Sequence, residues 1–203
     1  MDRSPYGVAY IRAVNNQPTN LSQKLIIAQT KKWIADVVVG CNFCPFAGRE
    51  VRRGTIAFDV LNNASPLTAL AAFEAAMKKL DTNAEIETLL LILPQGFGRF
   101  ADYLRLVSGA EKLLKKKGYE GVYQVASFHP NYVFAGSSPS DAANYTNRSP
   151  YPMLHLLREE SVSKAVDSYP DTHRIPERNI AFAKEKGLAY MQALLAASLK
   201  IDG

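Results

Sequence analysis

Thr88-Leu89-Leu90-Leu91-Ile92-Leu93 is a continuous apolar run closed by Pro94. It has the length of a strand, and its lack of polar alternation fits a central strand buried on both faces. Residues 55–61 (Thr-Ile-Ala-Phe-Asp-Val-Leu) and 122–128 (Val-Tyr-Gln-Val-Ala-Ser-Phe) read as two more strands. Helical patterns fill both gaps. Ser65-Pro66 offers an N-cap and a first helical position for a helix to about Leu80. In residues 100–117, Phe100, Tyr103, Leu106, Val107, Ala110, Leu113 and Leu114 share one face at 100° per residue. Arg105, Lys112, Lys115 and Lys116 lie opposite, and Gly118 stops that helix. Residues 54–128 therefore read β-α-β-α-β. This predicts an α/β (mixed α+β) fold with a small three- to four-stranded, largely parallel sheet and right-handed crossovers.

Outward from this unit, Ile26, Ile27, Trp33, Ile34, Val37 and Val38 define one face of an N-terminal helix from about Ser22 to Gly40. Residues 1–20 are polar and loop-like around Asn15–Asn20, with a short strand or ordered arm expected at 8–14. A loop of about 20 residues follows the third strand, from His129 to Arg148, and so long a connection inside a compact domain points to function. Two or three C-terminal helices are predicted at 150–167, 176–186 and 188–199. The domain organisation read from this is an arm at 1–20 and a single α/β domain at 21–203.

The chain has 203 residues, enough to bury a sizeable core without disulfides or metals. Hydrophobic residues are 47% and charged residues 21%, as in ordinary globular domains. No apolar stretch approaches the roughly 20 residues of a membrane span, and Met1-Asp2-Arg3-Ser4-Pro5 leads into no apolar signal core. With only two cysteines, a cytoplasmic location is expected. The net charge of +5 is scattered, so it only weakly suggests nucleic acid, which is not the expected partner.

Four clusters carry residues capable of chemistry. Cys41-Asn42-Phe43-Cys44-Pro45-Phe46 holds a CxxC pair at the expected C-terminal end of a helix, where the negative dipole end disfavours a thiolate. Two buried thiols, a nucleophile or ligand at Cys44, and a dithiol redox pair all fit. His129 follows the third strand, and ligands of open parallel sheets bind beyond strand carboxyl ends; a turn histidine before Pro130 is the alternative. The third cluster runs from Asn144 to Glu159. Ser149-Pro150 is expected to open a helix on which Arg158 falls in the middle of the apolar stripe, with His155 beside it and Glu159 at its edge. A guanidinium turned inward needs a carboxylate, carbonyls or a bound anion. Arg148, Arg158 and the N–H groups at the helix start suggest an anion pocket; an internal Arg–Glu tie is the competing reading. In the fourth cluster, His173 to Asn179, Arg178 and Asn179 are expected to face the same pocket, and Glu177 to cap the helix surface.

These clusters identify a resemblance. Cys44-Pro45-Phe46-Ala47, Ala126-Ser127-Phe128-His129-Pro130 with Phe134-Ala135-Gly136, Asn144 to Pro152 continuing through His155-Leu156-Leu157-Arg158-Glu159, and Ile175 to Asn179 resemble the uncharacterised proteins grouped as domain-of-unknown-function family 1415. The resemblance spans most of residues 30–190. Cys41 departs from the family pattern, which leaves Cys44 as the stronger thiol candidate. The family implies a polar, site-like cluster compatible with an enzyme, and no assigned chemistry.

The leading expectation is a small enzyme acting on a compact phosphate- or carboxylate-bearing substrate. Cys44, His129 and His155 would be catalytic; Asn147, Arg148, Ser149, Arg158, Glu159, Arg178 and Asn179 would bind the ligand. No motif names a cofactor, and no metal is assigned to the site. Metal binding by Cys44, His129 and His155, with Cys41 or His173, is the alternative, although their spacing carries no metal-site signature. A non-enzymatic nucleic-acid or protein-binding module is a further reading.

Overall fold

A computed structural model describes residues 21–169 and 171–201; the arm expected at residues 1–20 lies outside the described residues. Helix α1 (Gln23–Trp33) opens at Ser22, whose hydroxyl accepts the Leu25 N–H at 3.2 Å, and runs into a π-helical segment, Ile34–Val39. The segment ends at Gly40, where a Cβ would lie 2.3 Å from the Asp36 carbonyl oxygen. Only glycine lets the backbone close that tightly. Helix α2 (Ala47–Arg53) leads to β1 (Ile56–Val60). Then come α3 (Pro66–Thr82), β2 (Thr88–Ile92), α4 (Phe100–Lys116) and β3 (Tyr123–Phe128). Ser65 and Thr68 form a reciprocal capping box at the start of α3. A 3-10 turn (Ala142–Thr146) precedes β4 (Met153–Arg158) and α5 (Glu159–Ser168). A second 3-10 turn (Thr172–Arg174) leads to α6 (Ile175–Lys186) and α7 (Leu188–Ser198).

The four strands lie in the order β1-β2-β4-β3. β1 and β2 are parallel, and β4 runs antiparallel to both β2 and β3. The sheet is thus mixed, which corrects the largely parallel sheet expected. The cause is β4, which enters between the second and third strands of the β-α-β-α-β unit. The helix expected at 150–167 is likewise corrected: its first part is this strand, and only residues from Glu159 onward are helical. A strand between two others is apolar on both faces, so Met-Leu-His-Leu-Leu shows no polar alternation to set it apart from a helix.

The sheet is the middle of three layers. On one face α3 and α4 bury Phe73, Met77, Leu80, Tyr103 and Leu106 against Leu89, Leu91, Leu154 and Leu156. On the other, α1, the π-helical segment, α6 and α7 bury Ile26, Trp33, Val37, Ala183 and Met191 against Leu90, Ile92 and Met153. Successive strand residues serve opposite layers because side chains alternate along a strand.

Candidate functional site

The Cys41–Phe46 segment is the turn in which the π-helical segment ends. Cys41 is buried, and burial raises its thiol pKa while nearby Lys186 lowers it. Cys44 is half-buried. Asn42 sits at φ +55°, a left-handed conformation that asparagine tolerates. The two residues between the cysteines are held by α6. Arg178 Nη2 donates to the Asn42 carbonyl, and Asn179 Nδ2 donates to the Phe43 carbonyl at 2.7 Å. The Phe43 ring meets Phe182 of α6 edge-on at 5.7 Å, and Phe46 meets Tyr169 in the same way at 5.7 Å. Beside this junction, at the start of α6, an open cavity of about 520 Å³ is lined by Tyr169, Asp171, Arg174, Glu177 and Arg178. The first and fourth clusters, more than 130 residues apart in sequence, therefore meet at one place.

The other expected residues serve the architecture. His129 is buried; its Nε2–H donates to the Phe97 carbonyl at 2.8 Å and Nδ1 accepts the Asn131 N–H at 2.9 Å. Both nitrogens are taken and the tautomer is set. Burial, helped by the Arg148 charge, pushes its pKa down to about 4 although the Phe97 carbonyl favours the charged form. His155 Nε2–H donates to Thr88 Oγ1 at 2.5 Å, because that hydroxyl gives its own proton to the Leu156 carbonyl at 2.7 Å. Burial pushes the His155 pKa to about 4 as well. The two imidazoles lie on opposite faces of the sheet. His129 packs on Phe100 and Tyr103 of α4, whereas His155 packs near Phe128 and alternates with Leu154 and Leu156. Cys44 belongs with the second face, through the Val38 carbonyl that its N–H approaches at 3.4 Å. The convergence of Cys44, His129 and His155 expected from sequence is thereby corrected: the sheet separates His129 from the other two.

The expected anion pocket around Arg148 and Arg158 is corrected in the same way, because protein carbonyls take both cations. Arg148 donates from Nε to the Tyr132 carbonyl at 3.1 Å and from Nη2 to the Pro139 carbonyl at 2.8 Å, with its guanidinium 4.5 Å above the Tyr145 ring. Its own carbonyl accepts the Trp33 indole N–H at 3.1 Å. Asn147 Nδ2 reaches the Ser127 carbonyl at 3.3 Å. Asn144 pins the long loop from inside, accepting the Phe134 N–H at 3.0 Å and donating to the Ser138 carbonyl at 2.8 Å. The Ser149 hydroxyl is buried on the Tyr151 carbonyl at 2.6 Å and caps no helix. Arg158 closes the end of α3, donating to the carbonyls of Leu80 at 2.6 Å and Ile86 at 3.1 Å. Glu159 opens α5. Of the expected ligand-binding residues, only Arg178 lines the cavity, with Asn179 holding the loop beside it.

Tyr169, Asp171 and Arg174 were missed as lining residues. The signal for them was the bunching of charges from Asp171 to Arg178 around a helix start at Pro176. Among the described residues no three His, Cys, Asp or Glu side chains come together as a metal-binding group, and no helix is long and apolar enough to cross a membrane.

Residues 25–193 match the model of a protein family described as Protein of unknown function (DUF1415). The chain belongs to this family. The matched span of this DUF1415 protein runs from α1 into α7 and so includes both faces of the sheet, the Cys41–Phe46 turn and the cavity at the start of α6. No curated protein and no solved structure matches the chain.

Proposed function

We propose that this DUF1415 protein binds a compact anionic small molecule, bearing a carboxylate or phosphate, in the cavity where α6 begins. Arg174 and Arg178 supply the positive charge, and the start of α6 adds the positive end of a helix dipole. The volume of about 520 Å³ suits a small metabolite. The observation that carries this reading is the junction itself: Arg178 and Asn179 hold the Asn42 and Phe43 carbonyls, which sets a cysteine-bearing turn beside a cavity that holds two arginines. Cys44 is the one thiol on this turn that is not deeply buried, and it is the candidate nucleophile for an enzymatic version of this reading. His129 and His155, neutral and hydrogen-bonded to the protein, are not needed for it.

Thermal denaturation with and without inorganic phosphate or acetate tests the proposal. At a ligand concentration 100 times Kd, mass action raises Tm by about 5 to 10 °C. The gain is expected for the wild type and should vanish in Arg174→Gln, whose side chain is exposed and makes no hydrogen bond or ion pair among the described residues. Equal responses of the two proteins to both anions would defeat the proposal.

A further inference from the structure

The charges around the cavity do not pair with one another. Several opposite charges at three- or four-residue spacing on other helices do. Lys32 meets Asp36 at 2.7 Å, Lys78 meets Glu74 at 3.0 Å, Lys164 meets Glu160 at 2.5 Å, and Arg105 meets Asp102. Asp171, Arg174 and Glu177 have the same three-residue spacing and alternate in sign, yet none of them enters an ion pair or side-chain hydrogen bond among the described residues. Arg178, the fourth charge, points to the Asn42 carbonyl and the Asn179 side chain, not to an acid. Two cations and two anions thus line one cavity without neutralising each other. Asp171 is further set by a left-handed backbone (φ +56°), which turns the chain just before the 3-10 turn instead of continuing it.

A simple anion can pair with Arg174 and Arg178, but Asp171 and Glu177 on the same lining weaken its binding without preventing it. A ligand with separated charges satisfies both sets. We infer that the cavity takes a zwitterion: a molecule with an anionic carboxylate for Arg174 and Arg178 and an ammonium for Asp171 and Glu177, of the class of free amino acids and short peptides. This rests on the anion-binding reading above and names its ligand class. Tyr169, which packs edge-on against Phe46, and Ile175 line the same space and give the organic part of such a ligand an apolar wall.

Isothermal calorimetry on the full chain with three matched probes tests this: glycylglycine, its N-acetyl derivative (anion only) and its C-terminal amide (cation only). Glycylglycine should bind about tenfold or more tightly than either blocked form, as expected when one more charge-assisted hydrogen bond forms. Asp171→Asn and Glu177→Gln should each weaken glycylglycine towards the level of the N-acetyl form and leave the N-acetyl form itself no weaker. Arg174→Gln should weaken both. If the N-acetyl form binds as tightly as glycylglycine, the zwitterion inference fails and the anion reading stands. If none of the three probes, phosphate or acetate binds, both fail together.

Discussion

Arg158 Nη2 donates to the Leu80 carbonyl at 2.6 Å, tying the last residue of β4 to the final turn of α3. The last carbonyls of a helix lack intrahelical partners, and a guanidinium with several fixed donors can serve a cluster of them at once. The same side chain also reaches the carbonyls of Asn83 and Ile86 and the Tyr123 hydroxyl. Arg158→Ala should therefore destabilise the fold by about 2 to 3 kcal/mol, read from urea denaturation. Arg158→Lys, with a single point of donation, should recover only part of the loss. Phosphate binding should survive both changes, which separates this arginine from Arg174.

The histidines predict a pH dependence of stability. The pKa of His129 falls from 6.5 to about 4 on folding. The unfolded chain therefore binds the proton first as pH drops. Stability is complete above about pH 6.5, declines as pH falls, and stops declining from this source below about pH 4. The loss from His129 is on the order of 3 kcal/mol, and His155 acts in the same direction. His129→Gln should be less stable than wild type at pH 7 but show a flatter urea midpoint between pH 6.5 and 4. A wild-type midpoint constant over that window would contradict this.

Tyr103 is buried on α4, and its hydroxyl bonds to two strands: it donates to the Met153 carbonyl at 2.6 Å and accepts the Phe128 N–H at 2.9 Å. Burial raises its pKa far above the ordinary phenol range, so it stays protonated. Tyr103→Phe leaves the ring's packing and removes both bonds. The expected cost is about 1 to 3 kcal/mol in denaturant unfolding, with no change in anion affinity.

Asn179→Ala should loosen the turn that carries Cys44, because the Phe43 carbonyl loses its donor. Stability should fall by about 1 to 2 kcal/mol. Alkylation of Cys44 by iodoacetamide, followed by mass spectrometry, should become faster. Cys41, buried with its pKa raised, should react more slowly than Cys44 in the native wild type. Equal rates for the two thiols would count against the arrangement described.

Much of the fold was legible because its signals are local. The apolar run at Thr88–Ile92, the Ser65-Pro66 cap and the face of Tyr103, Leu106 and Ala110 each belong to one element, and each lies where its pattern put it. β4 was not legible, because Leu154, His155 and Leu156 are all drawn inward and no polar rhythm marks a strand among them. Pro150 and Pro152, read as a helix start, instead take the chain through a bend at residues 150–151 into β4, and the Pro152 carbonyl accepts the Leu93 N–H at 2.9 Å. The inward turn of Arg158 was legible, but its partners were not. Carbonyls at the end of α3 leave no mark in the sequence around residue 158. The pairing of the Cys41–Phe46 turn with Arg178 and Asn179 was half visible: both segments stood out, but their contact is set by the packing of α6 on the second face of the sheet.

The central place of β4 also sets the order in which the molecule can be completed during synthesis. Its two neighbours, β2 and β3, leave the ribosome before it does, and they end up one strand apart, roughly 10 Å from each other. Until residues 153–158 emerge, each of those strands presents a bare hydrogen-bonding edge across an empty slot. A nascent chain halted in that interval has no closed layer and exposes two edges open to foreign strands. Emergence of residues 153–158 closes both of those edges, and α6 and α7 then cover the face of the sheet that is still bare.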